Sequence, residues 1–174
     1  MVLTVITYPD NRLKEISKPI ENFDQELHTI LDDMYETMMA QNGIGLAAIQ
    51  VALPIRALLL NIPDEEGEQL KENLIEMINP TILSAEGETI YQEGCLSVPG
   101  FYEDISRYEK VTVSYFDRHG KEQSLEALDL LSVAVQHEMD HLDGKLFIEK
   151  LSYAKRKKFE KELKKRIREN KKAS

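Results

Sequence analysis

His137 and His141 stand four residues apart in Gln136-His-Glu-Met-Asp-His-Leu142, with Glu138 directly after the first of them. On an α-helix this spacing aims both imidazoles off one face. Two ring nitrogens placed in that way can reach one divalent metal at about 2.0–2.1 Å. Glu138 then lies beside the open coordination position, where its carboxylate could take a proton from a bound water. Two histidines are too few for a catalytic metal, which usually has three protein ligands and one open position. The chain holds one cysteine, Cys95, in Glu93-Gly-Cys-Leu-Ser-Val-Pro99. Gly94 allows close backbone approach and Pro99 ends the segment, so the thiol belongs on a short irregular or edge piece. As a thiolate it would bind a soft divalent ion at about 2.3 Å. A lone buried cysteine is more often a small hydrophobe. The His-Glu-x-x-His pattern in the same chain tips the reading toward ligation.

A second stretch with chemical potential is Gly43-Ile-Gly-Leu-Ala-Ala-Ile-Gln50. Two glycines and two alanines around one polar amide leave backbone exposed for close approach by something extended. Gln50 could donate its amide hydrogens to a developing oxyanion. A phosphate loop is the weaker alternative, because the Lys-Ser/Thr ending of a P-loop and the third glycine of a dinucleotide fingerprint are both missing.

The elements that must position these residues follow from periodicity. Leu27, Ile30, Leu31, Met34 and Met38 form an i, i+3, i+4, i+7 stripe, with Asp32, Asp33 and Glu36 opposite. Residues 25–41 therefore read as an amphipathic helix, preceded by cap candidates in Asn22-Phe-Asp24 and ended at Asn42-Gly43. Its methionines are core rather than a cofactor box. Val2–Ile6 is a short β-branched run closed by turn chemistry at Tyr8-Pro9-Asp10-Asn11, and Ile55–Asn61 has strand character. Residues 63–72 are acidic and contain glycine, as a surface loop does. Leu74–Leu83 reads as two strand-like pieces interrupted at Asn79-Pro80, with a turn at Glu86-Gly87-Glu88. Lys110–Phe116 alternates as a strand, and Asp117–Gly120 is a hairpin signal leading into Gln123–Leu128. Asp129 is a cap candidate for a helix over about Leu130–Leu142, ended by Gly144. That helix is apolar on most sides and should be buried, which a solvated face with two histidines would not be. Residues 152–170 read as a further amphipathic helix with Phe159, Leu163 and Ile167 at four-residue spacing.

The chain has 174 residues, 42% of them apolar and 30% charged, the balance of a folded globular protein of one core. No apolar run is long enough to span a membrane, and the N-terminal segment lacks a basic n-region and a long apolar h-region. One cysteine excludes an internal disulfide and fits a reducing, cytoplasmic setting. Residues 151–174 carry eleven Lys/Arg and three Glu, net +8, whereas residues 1–150 carry eleven Lys/Arg and twenty-eight Asp/Glu, net −17. An acidic body with a basic tail is unlike a uniformly basic DNA binder, so contact with a polyanion is expected only at the tail. The expected organisation is a catalytic metallohydrolase domain over residues 1–150, with a basic helix over 151–174 packed on it.

Gly43–Gln50, Glu93–Ser97 and Gln136–His141 together resemble the three motifs of the peptide deformylase family, in that family's order and at similar spacing. The resemblance runs from Pro9 to the basic C-terminal helix. It implies an α+β fold, with antiparallel sheets packed around a central metal-binding helix. It also implies hydrolysis of the N-formyl group from N-formylmethionyl nascent peptides, releasing formate. Carried over, Cys95, His137 and His141 would be the metal ligands, with water in the fourth position. Glu138 would be general base and then acid. Gln50 and the Leu96 backbone N–H would hold the oxyanion. Ile44, Tyr91, Leu130, Val133 and Ala134 would wall the methionine pocket beside His137, and Ile44–Gly45 would pair with the peptide as an added strand. The ligand set fits Zn2+ on softness, while the resemblance suggests Fe2+, readily lost by oxidation and replaced by zinc. It also suggests a ribosome contact through the basic helix. One position departs from the pattern. Tyr102 stands where many bacterial relatives have an arginine near the substrate backbone. Glu93 and Arg107 are available for an ion pair beside the site, for an ordinary surface pair, or for none.

Two other readings remain at this level. An ordinary zinc endopeptidase would draw its third ligand from downstream, where Glu149 and Glu160 lie. A non-enzymatic ribosome- or RNA-binding module would depend on the tail after Leu151 and be indifferent to Glu138.

Overall fold

The computed structural model describes residues 1–173. Helix α1 spans Gln25–Ala40, and the Asp24 side chain caps it by accepting from Leu27 N at 3.0 Å. Leu27, Leu31, Met34 and Met38 are its buried face, as the periodicity requires. It ends with Asn42, not Gly43, in the left-handed conformation (φ 56°), while Gly43 N bonds Met38 O at 2.9 Å. Strands β1 (Gly45–Ala47), β2 (Ala57–Leu60) and β3 (Ile75–Glu86) follow, then β4 (Thr89–Cys95) and β5 (Val98–Arg107). Next come β6 (Lys110–Phe116), β7 (Glu122–Leu128), helix α2 (Asp129–Leu142) and helix α3 (Tyr153–Ala173).

Five strands form one antiparallel sheet in the order β1-β2-β3-β6-β7, and β4 and β5 form a separate antiparallel hairpin. All four residues of β2 are buried, because the sheet is covered on both faces. Ala57 and Leu59 pack with the α1 residues Leu27, Leu31, Met34 and Met38. Leu58 and Leu60 point the other way, into a cluster with Ala134, Val135 and Leu142 of α2. Helix α2 is thus held between the large sheet and the β4–β5 hairpin, whose Glu93 bonds His137. A third cluster joins Ile6, Leu13, Val98 and Ile105 to Phe147 and to Phe159 of α3.

Several local expectations are corrected. Strand β3 runs through Asn79-Pro80 as one element, the interruption being a register shift between Ile78 and Thr81. There Asn79 adopts φ 50° and exchanges two 2.9 Å side-chain bonds with the backbone of Ile20. Val2–Ile6 joins neither sheet; single backbone bonds tie this end of the chain down, Ile6 N to Gln50 O at 2.8 Å and Tyr8 N to Ser97 O at 2.7 Å. Asp129 does not cap α2 with its side chain; it has φ 53° and its N–H bonds Glu109 O at 3.0 Å. The C-terminal helix buries Phe159, but Ile167 is 39% exposed, so the apolar stripe anchors only its first half.

Candidate active site

Three elements deliver the reactive side chains. Helix α2 presents His137, Glu138 and His141, all of them buried. The β4–β5 hairpin brings Cys95 to its tight end, where Cys95 pairs with Val98 around Leu96-Ser97. A short 3-10 helix, Ala48–Val51, fixes Gln50 behind β1.

The three expected ligand atoms converge. Cys95 Sγ lies 3.4 Å from His141 Nε2, which lies 3.3 Å from His137 Nε2. Donor atoms about 2.0–2.3 Å from a tetrahedral ion stand roughly 3.3–3.7 Å from one another, so the spacing fits a single metal of this kind. Each histidine must then face the ion with Nε2. His137 is set in that sense because its Nδ1 meets Glu93 Oε1 at 2.8 Å. Burial drives the His141 pKa well below the ordinary histidine value and keeps the ring in its neutral, ligating form. Burial pushes His137 the same way, but Cys95 and Glu93 outweigh it and raise its pKa well above the usual value. The Glu93 carboxylate that favours a proton on Nδ1 leaves Nε2 to face a cation.

Glu93 and Arg107 form a buried pair, not a surface one. The guanidinium donates to both carboxylate oxygens, at 2.6 and 2.9 Å, and reaches Asp140 of α2 at 2.9 Å. Burial alone would raise the Glu93 pKa; the bonds from His137 and Arg107 overcome this and lower it. A carboxylate with a lowered pKa contributes stability above its ordinary range and loses it as pH falls through the shifted value. Glu93→Gln is therefore expected to flatten the acid side of the melting-temperature profile. It should also weaken metal affinity by about 10- to 100-fold, the usual cost of losing a histidine's outer partner, as measured by competition with a chelator.

Glu138 lies beside the cluster, with Oε1 3.8 Å from His137 Nε2 and Oε2 buried without a partner. Burial raises its pKa to about 7. Gly45 makes room for it, since a Cβ at that position would stand 3.0 Å from Glu138 Cγ and Oε1. Gln50 Oε1 accepts from Ala47 N at 2.9 Å, so its amide nitrogen points at Ser97 Oγ (3.1 Å) and Cys95 Sγ (3.5 Å).

A cavity of about 560 Å³ opens onto this cluster. Ile44 and Gly45, Gln50, Cys95 and Leu96 line one part of it. Tyr91, Leu130, Val133 and Ala134 line another, beside His137 and Glu138. His141 lies beneath, 1% exposed. Gly43, Gly94, Pro99 and Gly100 also line the cavity, and Ser97 and Asp140 support it, roles that neither residue type nor spacing marks in the sequence. The downstream carboxylates are engaged elsewhere: Glu149 Oε2 accepts from Leu146 N, and Glu160 pairs with Arg156 and Lys157.

Residues 2–157 match the sequence model of the polypeptide deformylase family. The chain belongs to that family. A peptide deformylase of Nautilia profundicola is 60% identical over 171 residues, covering 98% of each chain. The crystal structure of a Legionella pneumophila peptide deformylase superimposes with a TM-score of 0.88 at 41% identity, covering 98% of both chains. That of the Ehrlichia chaffeensis peptide deformylase in complex with actinonin gives 0.86 at 40% identity, covering 95% of this chain and 97% of that one. Deformylases are metal-dependent hydrolases, and the mixed helix and antiparallel-sheet architecture found here is theirs.

Proposed function

We propose that this deformylase holds its metal through Cys95, His137 and His141 and moves the catalytic proton through Glu138. The observation that carries the reading is the convergence of those three donor atoms at the base of a cavity with an unpartnered carboxylate oxygen beside them. The reaction itself, removal of the formyl group from formylated nascent peptides, is that of the family.

A divalent metal in this set supplies Lewis-acid activation of a water and of the formyl oxygen. The remaining work falls to the chain. Glu138 accepts the proton of the attacking water and returns it to the α-nitrogen as the C–N bond breaks, leaving formate and a free amine. Gln50, its carbonyl side tied to Ala47 N and one amide hydrogen to Ser97 Oγ, turns the other hydrogen from its long 3.5 Å contact with Cys95 Sγ to the oxyanion, with the Leu96 N–H as second donor. Tyr91, Leu130, Val133 and Ala134 enclose the methionine side chain. Strand β1 is an edge of the large sheet, so Ile44–Gly45 can take the peptide as an added strand. The soft thiolate with two imidazoles accommodates Fe2+ or Zn2+. Formate release from a formyl-Met tripeptide by anaerobically purified protein tests the reading. Turnover supports it, whereas a fully metallated protein without turnover would mean that the site serves another substrate.

Residues 1–150 are proposed as the catalytic unit and 151–174 as a basic C-terminal segment whose helix packs on it, Ser174 lying outside the described residues. Phe159, 5% exposed and 4.6 Å from the Phe101 ring, supports that packing. The +8 tail on a −17 body supports docking on ribosomal RNA near the emerging chain. Ribosome affinity is expected to fall steeply between low and physiological salt and on charge reversal of the exposed tail lysines, measured by co-sedimentation. An affinity indifferent to both would remove this part of the reading. Among the described residues no helix is long and apolar enough to cross a membrane; together with a substrate that emerges during translation, this supports a cytoplasmic setting.

A further inference from the structure

The C-terminal helix reaches the cavity through one strand. Between the pairs Glu93↔Glu103 and Cys95↔Val98 the β4–β5 register shifts, leaving Gly94 opposite Pro99, Gly100, Phe101 and Tyr102. Those four residues have no register partner on β4. Helix α3 supplies bonds in their place. Arg166 donates from Nη1 to Pro99 O at 2.9 Å and from Nη2 to Gly100 O at 3.2 Å. Its guanidinium carbon sits 4.2 Å over the Phe101 ring, and its Nε reaches Glu162 at 3.3 Å. Gly100 is shaped for this contact, with φ 79° and space in which a Cβ would stand 2.6 Å from Arg166 Nη1.

The other side of the segment belongs to the cavity. Phe101 turns toward α3, and Tyr102, next along the strand, turns away from it. Pro99, Gly100 and Tyr102 all line the cavity. The Tyr102 ring lies against Gly94, where a Cβ would come within 2.6 Å of Tyr102 Cε1, and Gly94 precedes Cys95.

We infer that Arg166 is a positioning residue for peptide binding: it holds the unpaired Pro99–Tyr102 segment so that Tyr102 walls the part of the cavity that receives residues downstream of the methionine. The inference rests on the deformylase reading and extends it to a residue of the basic helix. Arg166 is committed to the backbone carbonyls of the cavity segment, whereas Arg168 of the same helix is exposed; Arg156 bonds Ile148 O and Lys155 pairs with Glu103, both outside the Pro99–Tyr102 segment.

The test compares wild type, Arg166→Gln, Arg166→Lys and Arg168→Gln on a formyl-Met tripeptide and on formyl-Met amide. Arg166→Gln is expected to raise KM for the tripeptide roughly tenfold, the low end of what one lost charge-assisted hydrogen bond costs, with kcat little changed. The effect should be smaller for formyl-Met amide, which lacks downstream residues. Arg166→Lys should recover part of it, and Arg168→Gln should behave as wild type. An unchanged KM in Arg166→Gln would overturn the inference, as would an equal rise in Arg168→Gln or with formyl-Met amide. Calorimetric binding of the deformylated tripeptide separates the two claims. If wild type released no formate, the deformylase reading would fail alone. Weaker tripeptide binding by Arg166→Gln would still uphold the positioning role, and equal binding would still overturn it.

Discussion

Glu138→Ala is expected to keep one metal per chain and to lose turnover by about 10²- to 10⁴-fold, the contribution of a positioned general base. The expectation follows from where the carboxylate sits. It is buried 3.8 Å from His137 Nε2, it has a free oxygen, and it is outside the Cys-His-His triad. Removing it therefore subtracts a proton acceptor and leaves the donor set intact. Its pKa, raised by burial to about 7, adds a second expectation. A group with a raised pKa stabilises the fold in its protonated form and loses that contribution as pH rises through the shifted value. In metal-free protein, Glu138→Gln should therefore melt at a higher temperature than wild type above neutral pH and at a similar temperature near pH 4–5. Turnover close to wild type in Glu138→Ala would remove the general-base role outright.

The second large effect concerns Cys95. Cys95→Ser is expected to weaken metal binding by more than the roughly 10- to 100-fold that outer partners of a ligand cost, because a hydroxyl replaces a soft thiolate at the one sulfur of the site. Glu160→Ala serves as the contrast. Glu160 pairs with Arg156 and Lys157 on α3 and should leave metal affinity unchanged. The reverse pattern would point to a downstream carboxylate ligand and to an endopeptidase-like site. Metal content after dialysis against a graded chelator distinguishes the two.

Much of the site was legible in the sequence because its chemistry is carried by residue types that are rare or costly elsewhere. A buried helix with His137, Glu138 and His141 needs a polar purpose, and a lone Cys95 between Gly94 and Pro99 suggested an edge. The supports were less legible. Glu93 and Arg107 are common surface residues fourteen positions apart; the hairpin register sets Glu93 opposite Glu103 and Arg107 opposite Thr89, so the reach of the long Arg107 side chain along the hairpin is what joins them beneath His137. The hairpin itself carries no clean apolar alternation, since one side of it faces the cavity and Glu93, Asp104 and Glu103 interrupt the pattern. Proline at position 80 suggested a break in β3, but the Asn79 side chain, bonded to Ile20, absorbs the irregularity as a bulge. Asp129 had the right chemistry for a cap, yet its backbone is used to turn β7 into α2. The link from Arg166 to Gly100 spans sixty-six residues and left no periodic trace.

The central claim is that one metal, held by Cys95, His137 and His141, drives the hydrolysis. It is tested most directly by stripping the purified protein with a chelator under anaerobic conditions and restoring Fe2+ or Zn2+ in measured portions. Formate release from a formyl-Met tripeptide should be abolished by stripping, rise in proportion to added metal and level off at one equivalent per chain. Activity that survives complete stripping, or that levels off only at two equivalents, would contradict it.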